Sequence, residues 1–173
     1  MTTRHNDCFE DLLARQPERL VITGFRSCMA GYDFCDVACW EAAWQSYIGE
    51  LGARRACCLM GELQYWVRNL RWQAQRAVSY FPQGCRHLCH DECMALSVVS
   101  AAQGNDTNAG CLAIQHLIGS SDRRIVDDVW TATRSFANAL TQSDQPLYPV
   151  SATVVESIAK MNRLVNVQSK YLH

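Results

Sequence analysis

Apolar side chains recur along most of this chain at intervals of three and four residues, the repeat of an α-helix that buries one face. No stretch alternates between apolar and polar residues as a half-buried β-strand does, and the sequence contains no Asn-Gly hairpin turn. The pattern therefore predicts an all-α fold. We expect residues 1–173 to form a single-domain helical bundle of seven or eight helices.

Capping and turn residues divide the pattern into predicted helices. A short helix is expected over residues 7–16, and Pro17 suits the first turn of the next helix, where its missing N–H would be unpaired anyway. Asp33 with Asp36 resembles a capping box and is expected to begin a third helix that ends at Gly52, and a longer helix is expected over residues 54–76. The predicted buried face of the third helix is the apolar stripe Val37, Trp40, Trp44, Ile48 and Leu51.

The segment 85–102 is predicted to be the buried central helix, because it is apolar on all sides after Cys93. Residues 144–150 contain two prolines and are expected to link the bundle to a C-terminal helix over residues 151–172. That helix has a narrow apolar seam, which suits docking onto a second copy or across the bundle. The association residues predicted from this seam are Ile158, Met161 and Val165.

Composition limits the classes of protein. Hydrophobic residues make up 49% and charged residues 19%, which is typical of a globular domain rather than a disordered tail. The longest apolar runs are too short to span a membrane, and the first residues lack the apolar core of a signal peptide. We therefore expect a cytoplasmic protein with no membrane partner, in which the ten cysteines are reduced. The net charge of −1 does not favour nucleic acid as a partner.

The segment Cys85–Cys93 holds three cysteines at a spacing of four, two histidines and two acids. One interpretation is a zinc or iron–sulfur site. The candidate ligands are Cys89, Cys93, Cys111 and His116. The other interpretation is packing, because Cys89 and Cys93 continue a helix face of small and apolar residues, and no Cys-x-x-Cys pair occurs. We favour packing and expect no cofactor.

Two glutamates fall among apolar positions of predicted helices. Glu41 lies on the stripe of the third helix, where a carboxylate is costly to bury unless it is paired, and Arg26 on the preceding helix is a possible partner. Glu62 has similar neighbours, but neither residue belongs to the Glu-x-x-His motif of a di-iron bundle. The predicted pocket residues are Glu41, Glu62, Arg26 and Arg71.

Sequence motifs do not favour an enzyme, since the chain has no Gly-rich phosphate loop, no Gly-x-Ser-x-Gly and no His-Glu-x-x-His. The first hypothesis is a cytosolic protein that acts through contacts with itself or another protein, as a homodimer or accessory subunit. The alternative is a metal or iron–sulfur protein that uses the Cys85–Cys93 segment. The third is a small-molecule binder or enzyme with a pocket near Glu41, Glu62 and the arginines of residues 54–76.

Overall fold

The computed structural model of this chain describes residues 12–161 with their side chains and residues 162–170 as helical backbone. The all-α prediction is confirmed, because the described residues form seven helices and no β-strand. The helices are α1 (Gln16–Phe34), α2 (Val37–Leu51), α3 (Ala53–Gln73), α4 (His90–Gln103), α5 (Thr107–Ile118), α6 (Arg123–Gln142) and α7 (Ala152–Lys170). The helix predicted over residues 7–16 lies mostly outside the described residues.

Helix α4 lies at the centre of the bundle, as the sequence predicts. Every residue from Asp91 to Ala102 is buried, and α4 packs against α1, α5, α6 and α7. On the other side of the core, α3 packs against α6, α2 and α1. The indole of Trp66 on α3 stacks on Phe136 of α6, with the ring centroids 5.2 Å apart, and is tilted against Phe25 of α1.

The face that α2 buries differs from the prediction. The cap also differs, because Asp33 still belongs to α1 and Asp36 is the N-cap, accepting a hydrogen bond from the N–H of Ala38. Val37 is 76% exposed, and the buried residues are Ala43 and Tyr47. The remaining members of the predicted stripe are only partly buried: Trp40, Trp44, Ile48 and Leu51.

Tyr47 explains this rotation of α2. Its hydroxyl reaches α1 and donates a hydrogen bond of 2.9 Å to the carbonyl oxygen of Leu20. A Cβ at Gly24 would overlap that hydroxyl, so the glycine permits the close approach. Once its hydroxyl is paired, the tyrosine buries a large ring at little cost.

The central helix begins later than predicted, at His90 instead of Cys85. Residues 74–89 form an irregular segment, here called the 74–89 loop, in which Gly84 has a φ of 81°. Cys89 is the N-cap of α4, and its N–H donates to the Glu92 carboxylate at 3.0 Å. The capping box therefore starts α4 at His90.

The C-terminal helix α7 packs against α4 and α5 after a link over residues 143–151. Its residues Val155, Ile158 and Ala159 are buried by the same chain. No helix among the described residues is both long and apolar enough to cross a membrane.

Candidate functional site

A cavity of about 440 Å³ lies between the start of α1, the face of α4, the 143–151 link and α7. This volume is within the usual range of small-molecule sites. The wall is mainly apolar and partly open to solvent. Its aliphatic lining includes Leu88, Leu96, Leu147, Val150, Val154 and Ile158.

Small side chains on α4 leave the room for this cavity. Cys93, Ser97 and Ser100 follow one another at helical spacing, and all three line it. The Ser97 hydroxyl donates to the carbonyl oxygen of Cys93 at 2.8 Å, and the Ser100 hydroxyl donates to that of Tyr148 at 2.6 Å. The face that the sequence assigned to helix packing therefore forms, in part, a cavity wall.

A charged pair marks one end of the cavity. Glu18 in the first turn of α1 lines it and is only 2% exposed. Its Oε1 accepts hydrogen bonds from Nη1 of Arg15 at 2.9 Å and from the N–H of Tyr148 at 2.6 Å. Its Oε2 is buried and accepts no hydrogen bond from any described residue.

Sequence reasoning missed Glu18, because an acid in the first turn of a helix is usually solvated and stabilised by the helix dipole. One signal was available in the sequence. Glu18 stands three and seven residues before Val21 and Phe25, which are both fully buried, so it shares the inward stripe of α1.

A second pair of charges lies at the start of α4, where Glu92 binds Arg26 of α1. The Arg26 Nε donates to Oε1 at 2.6 Å, and its Nη2 donates to Oε2 at 3.0 Å. Both side chains are almost completely buried. The carboxylate also accepts the N–H groups of Phe81 and Cys89, so each oxygen has two donors.

The same arginine fixes the 74–89 loop. Arg26 donates to the carbonyl oxygens of Cys85 and His87, each at 2.7 Å. Leu88 of this loop lines the cavity. The buried Arg26–Glu92 pair therefore holds one wall of the cavity in place.

Asp91, the residue before Glu92, also binds an arginine and the 74–89 loop. It binds the Arg76 guanidinium at 2.6 and 2.8 Å, accepts the N–H of Ser79, and lies 3.0 Å from Nδ1 of His90. Burial acts to raise the pKa of Asp91, but the hydrogen bonds from His90, Arg76 and Ser79 and the charge of Arg76 lower it to about 2. The carboxylate is thus ionised at neutral pH and anchors the loop.

The predicted pocket residues are not gathered at the cavity. Glu41 is exposed and accepts a hydrogen bond from Gln45, so the prediction that it is buried beside Arg26 is wrong. Glu62 is partly exposed, and Arg71 forms an ion pair with Asp33. The rotation of α2 towards Tyr47 is the physical reason that Glu41 faces solvent.

The candidate metal ligands have separate surroundings. Cys89 caps α4 and its Sγ contacts the carbonyl oxygen of Ser79, Cys93 lines the cavity, and Cys111 and His116 lie on α5. Among the described residues, no three Cys, His, Asp or Glu side chains are grouped so as to hold a metal ion. The zinc or iron–sulfur alternative therefore stays a prediction, without a converging ligand set in this part of the chain.

Burial also affects the thiols. It raises the pKa of Cys93 to about 12 and that of Cys89 to about 11, so both are protonated at neutral pH. A thiolate is the form that attacks a substrate or binds a metal. The nine cysteines within the described residues are all unpaired.

The predicted association residues lie on different parts of α7. Ile158 is buried in its own chain and lines the cavity, so it is not free to meet a second copy in this state. Met161 is 46% exposed, and the Val165 side chain lies outside the described residues.

An exposed aromatic surface lies on α3 instead. Trp72 is 87% exposed. Tyr65, two helical turns before it on the same face, is also exposed, and Arg68 lies between them. We call these three residues the α3 surface.

Compared with protein-family models, with curated proteins and with solved structures, the chain matches none. The candidate site is therefore defined by its own geometry alone.

Proposed function

We propose that this protein binds a small, mainly apolar molecule in the cavity between α1, α4, the 143–151 link and α7. The observation that carries the proposal is the apolar cavity of about 440 Å³ beside a buried carboxylate. Protein interiors are close-packed, so a void of this size forgoes many dispersion contacts. A ligand recovers them and gains about 0.8 kcal/mol for each CH₂ group that it buries.

Binding suits this cavity better than covalent chemistry. The thiol in the wall, Cys93, has a pKa raised to about 12 by burial and is a poor nucleophile at neutral pH. The hydroxyls of Ser97 and Ser100 donate to main-chain carbonyl oxygens, and no described base accepts their protons. We therefore assign the cavity a carrier or sensor role rather than catalysis.

We also propose that the protein works in a reducing compartment such as the cytoplasm. Exposed thiols support this, because the adjacent Cys57 and Cys58 are both exposed and unpaired. Such thiols persist where glutathione and thioredoxin keep them reduced.

Replacing Val154 by tryptophan tests the cavity. Val154 lines it but is 45% exposed, so the larger side chain can enter the opening without disrupting the core. We expect the variant to bind the fluorescent apolar probe N-phenylnaphthylamine at least about tenfold more weakly than the unmodified protein, a loss of about 1.4 kcal/mol. Fluorescence titration measures the affinity, and circular dichroism checks the fold.

The matched control is Val37→Trp, the same change at an exposed position of α2 outside the cavity. It should leave probe binding unchanged. Equal affinities for Val154→Trp and the unmodified protein, or no binding by the unmodified protein, contradict the proposal.

A second candidate function is self-association through the α3 surface. We propose that a second copy covers it, because an indole as exposed as that of Trp72 is typical of an interface anchor. Charge supports a copy of the same chain as the partner. Helix α3 carries four arginines and one glutamate, whereas α2 carries two glutamates and no basic residue.

The Trp72→Ala variant tests this second candidate. We expect the unmodified protein to be a dimer at micromolar concentration and Trp72→Ala to be a folded monomer, because hot-spot truncations cost about 2 kcal/mol or more of binding energy. Light scattering gives the mass of each. A monomer for the unmodified protein, or a dimer that survives the substitution, excludes an interface centred on Trp72.

A further inference from the structure

Three side chains of the cavity wall, Glu18, Ser97 and Ser100, present hydrogen-bond acceptors. Ser97 and Ser100 each use their hydroxyl hydrogen on a main-chain carbonyl, which leaves only their oxygens to accept. The N–H of Tyr148 donates to Oε1 of Glu18. Among the described residues of the wall, the side-chain groups that can still donate are the Arg15 guanidinium and the Tyr148 hydroxyl, both on exposed side chains, and the Cys93 thiol, which is a weak donor.

Glu18 is the strongest of these acceptors and is incompletely paired. Both donors that it contacts, Arg15 Nη1 and the Tyr148 N–H, bind Oε1, while Oε2 is buried without a partner among residues 12–161. A buried carboxylate oxygen without a donor raises the free energy of the folded state, because it loses its hydrogen bonds to water and gains none from the protein. A ligand that donates to this carboxylate removes that cost on binding.

We propose that the ligand is a primary amine with an apolar body, whose ammonium group donates to the Glu18 carboxylate while its hydrocarbon part fills the cavity. This inference rests on the proposed binding function and specifies its ligand class. An ammonium supplies three donors and no acceptor, which complements the acceptor oxygens of Glu18, Ser97 and Ser100. A carboxylate ligand supplies only acceptors and carries the same charge as Glu18.

Arg15 does not reverse this preference. Its Nη1 binds Glu18, its Nη2 donates to the carbonyl oxygen of Pro146 at 3.3 Å, and its guanidinium lies over the Tyr148 ring, 5.7 Å from the centroid. These contacts hold the arginine along the link, where it neutralises part of the Glu18 charge.

Four compounds with the same decyl chain separate charge from hydrogen bonding. Decylamine carries a cation with donors, decyltrimethylammonium a cation without N–H, decanol a neutral donor, and decanoate an anion. With the full-length protein in calorimetry, we expect decylamine to bind at least about tenfold more tightly than decanoate or decyltrimethylammonium, since a charge-assisted hydrogen bond contributes more than a neutral one. The affinity of decanol should lie between that of decylamine and those of the other two compounds.

The Glu18→Gln variant then identifies the anchor. Glutamine keeps the oxygen that accepts from Arg15 and Tyr148 but presents an NH₂ donor in place of Oε2. We expect the ratio of decylamine to decanoate affinity to fall about tenfold or more. The control is Glu50→Gln, whose carboxylate pairs with Arg19 outside the cavity and should leave the ratio unchanged.

The outcomes distinguish a failure of the proposed ligand class from a failure of the proposed binding function. If all four decyl compounds bind equally, or decanoate binds most tightly, the amine class is wrong while the binding function stands. If neither the decyl compounds nor the probe binds, the binding function is wrong. If Glu18→Gln and Glu50→Gln change the ratio alike, Glu18 is not the anchor. The comparison of decylamine with decyltrimethylammonium uses only the unmodified protein, so it decides the ligand class even if Glu18→Gln does not fold.

Discussion

Replacing Glu92 by glutamine is expected to lower the free energy of unfolding by about 3–5 kcal/mol, the cost of removing one partner of a buried ion pair. The carboxylate is fully buried and offers two acceptor oxygens to Arg26 and to the N–H groups of Phe81 and Cys89. Glutamine keeps one oxygen, turns an NH₂ group towards these donors and leaves Arg26 charged without a counterion. Urea unfolding followed by circular dichroism measures the change.

The control for this prediction is Glu41→Gln, the same change on an exposed carboxylate whose partner is Gln45. Its effect should stay within about 0.5 kcal/mol, as for most surface substitutions. A loss below about 1 kcal/mol for Glu92→Gln would mean that the Arg26–Glu92 pair contributes little to stability. Because the pair also holds the 74–89 loop, amide exchange in that loop should rise in the variant before the core opens.

The two acids at the start of α4 connect stability to the proposed site. Asp91 and Glu92 are adjacent, and each binds one arginine and N–H groups of the 74–89 loop. The loop contains no regular secondary structure, and its other anchors include the hydrogen bonds from the Gln83 amide to the Thr23 carbonyl oxygen and the Ser27 hydroxyl. Leu88 near the end of this loop forms part of the cavity wall. The ion pairs therefore fix a part of the cavity wall that the loop sequence alone does not specify.

Local patterns predicted much of the fold. The helical repeat indicated the all-α class, and apolar residues on every side of α4 indicated its central position. The start of α4 was predicted wrongly because cysteine is not among the preferred N-cap residues, so the Cys89–Glu92 capping box was overlooked. The face of α2 was predicted wrongly because the apolar stripe did not include Tyr47, whose paired hydroxyl permits full burial.

Local sequence patterns could not predict contacts between residues that are far apart in the chain. Arg26 and Glu92 are 66 positions apart, and nothing local favours Glu92 over Glu41 as the partner. The cavity has the same origin, because its volume depends on how four segments pack and not on any one of them. Only Glu18 carried a usable local signal, its position on the buried stripe of α1.

Replacing Trp66 by alanine is expected to lower the free energy of unfolding by about 3–5 kcal/mol, the usual cost of removing a large aromatic side chain from a core. The indole is fully buried between α1, α3 and α6, where it stacks on Phe136 and contacts Phe25. Alanine leaves a void that the three packed helices cannot fill completely. Thermal and urea unfolding measure the loss, and near-ultraviolet circular dichroism reports the packing of the remaining rings.

The matched substitution Trp66→Phe separates ring packing from hydrogen bonding. The indole Nε1 is buried and has no hydrogen-bond partner among the described residues, so phenylalanine removes an unpaired donor while it keeps a ring against Phe136. We therefore expect Trp66→Phe to cost less than half as much as Trp66→Ala. If the two substitutions cost the same, retaining a ring at position 66 does not recover stability. The loss would then come from a hydrogen bond of the indole N–H in solution and not from the aromatic stack.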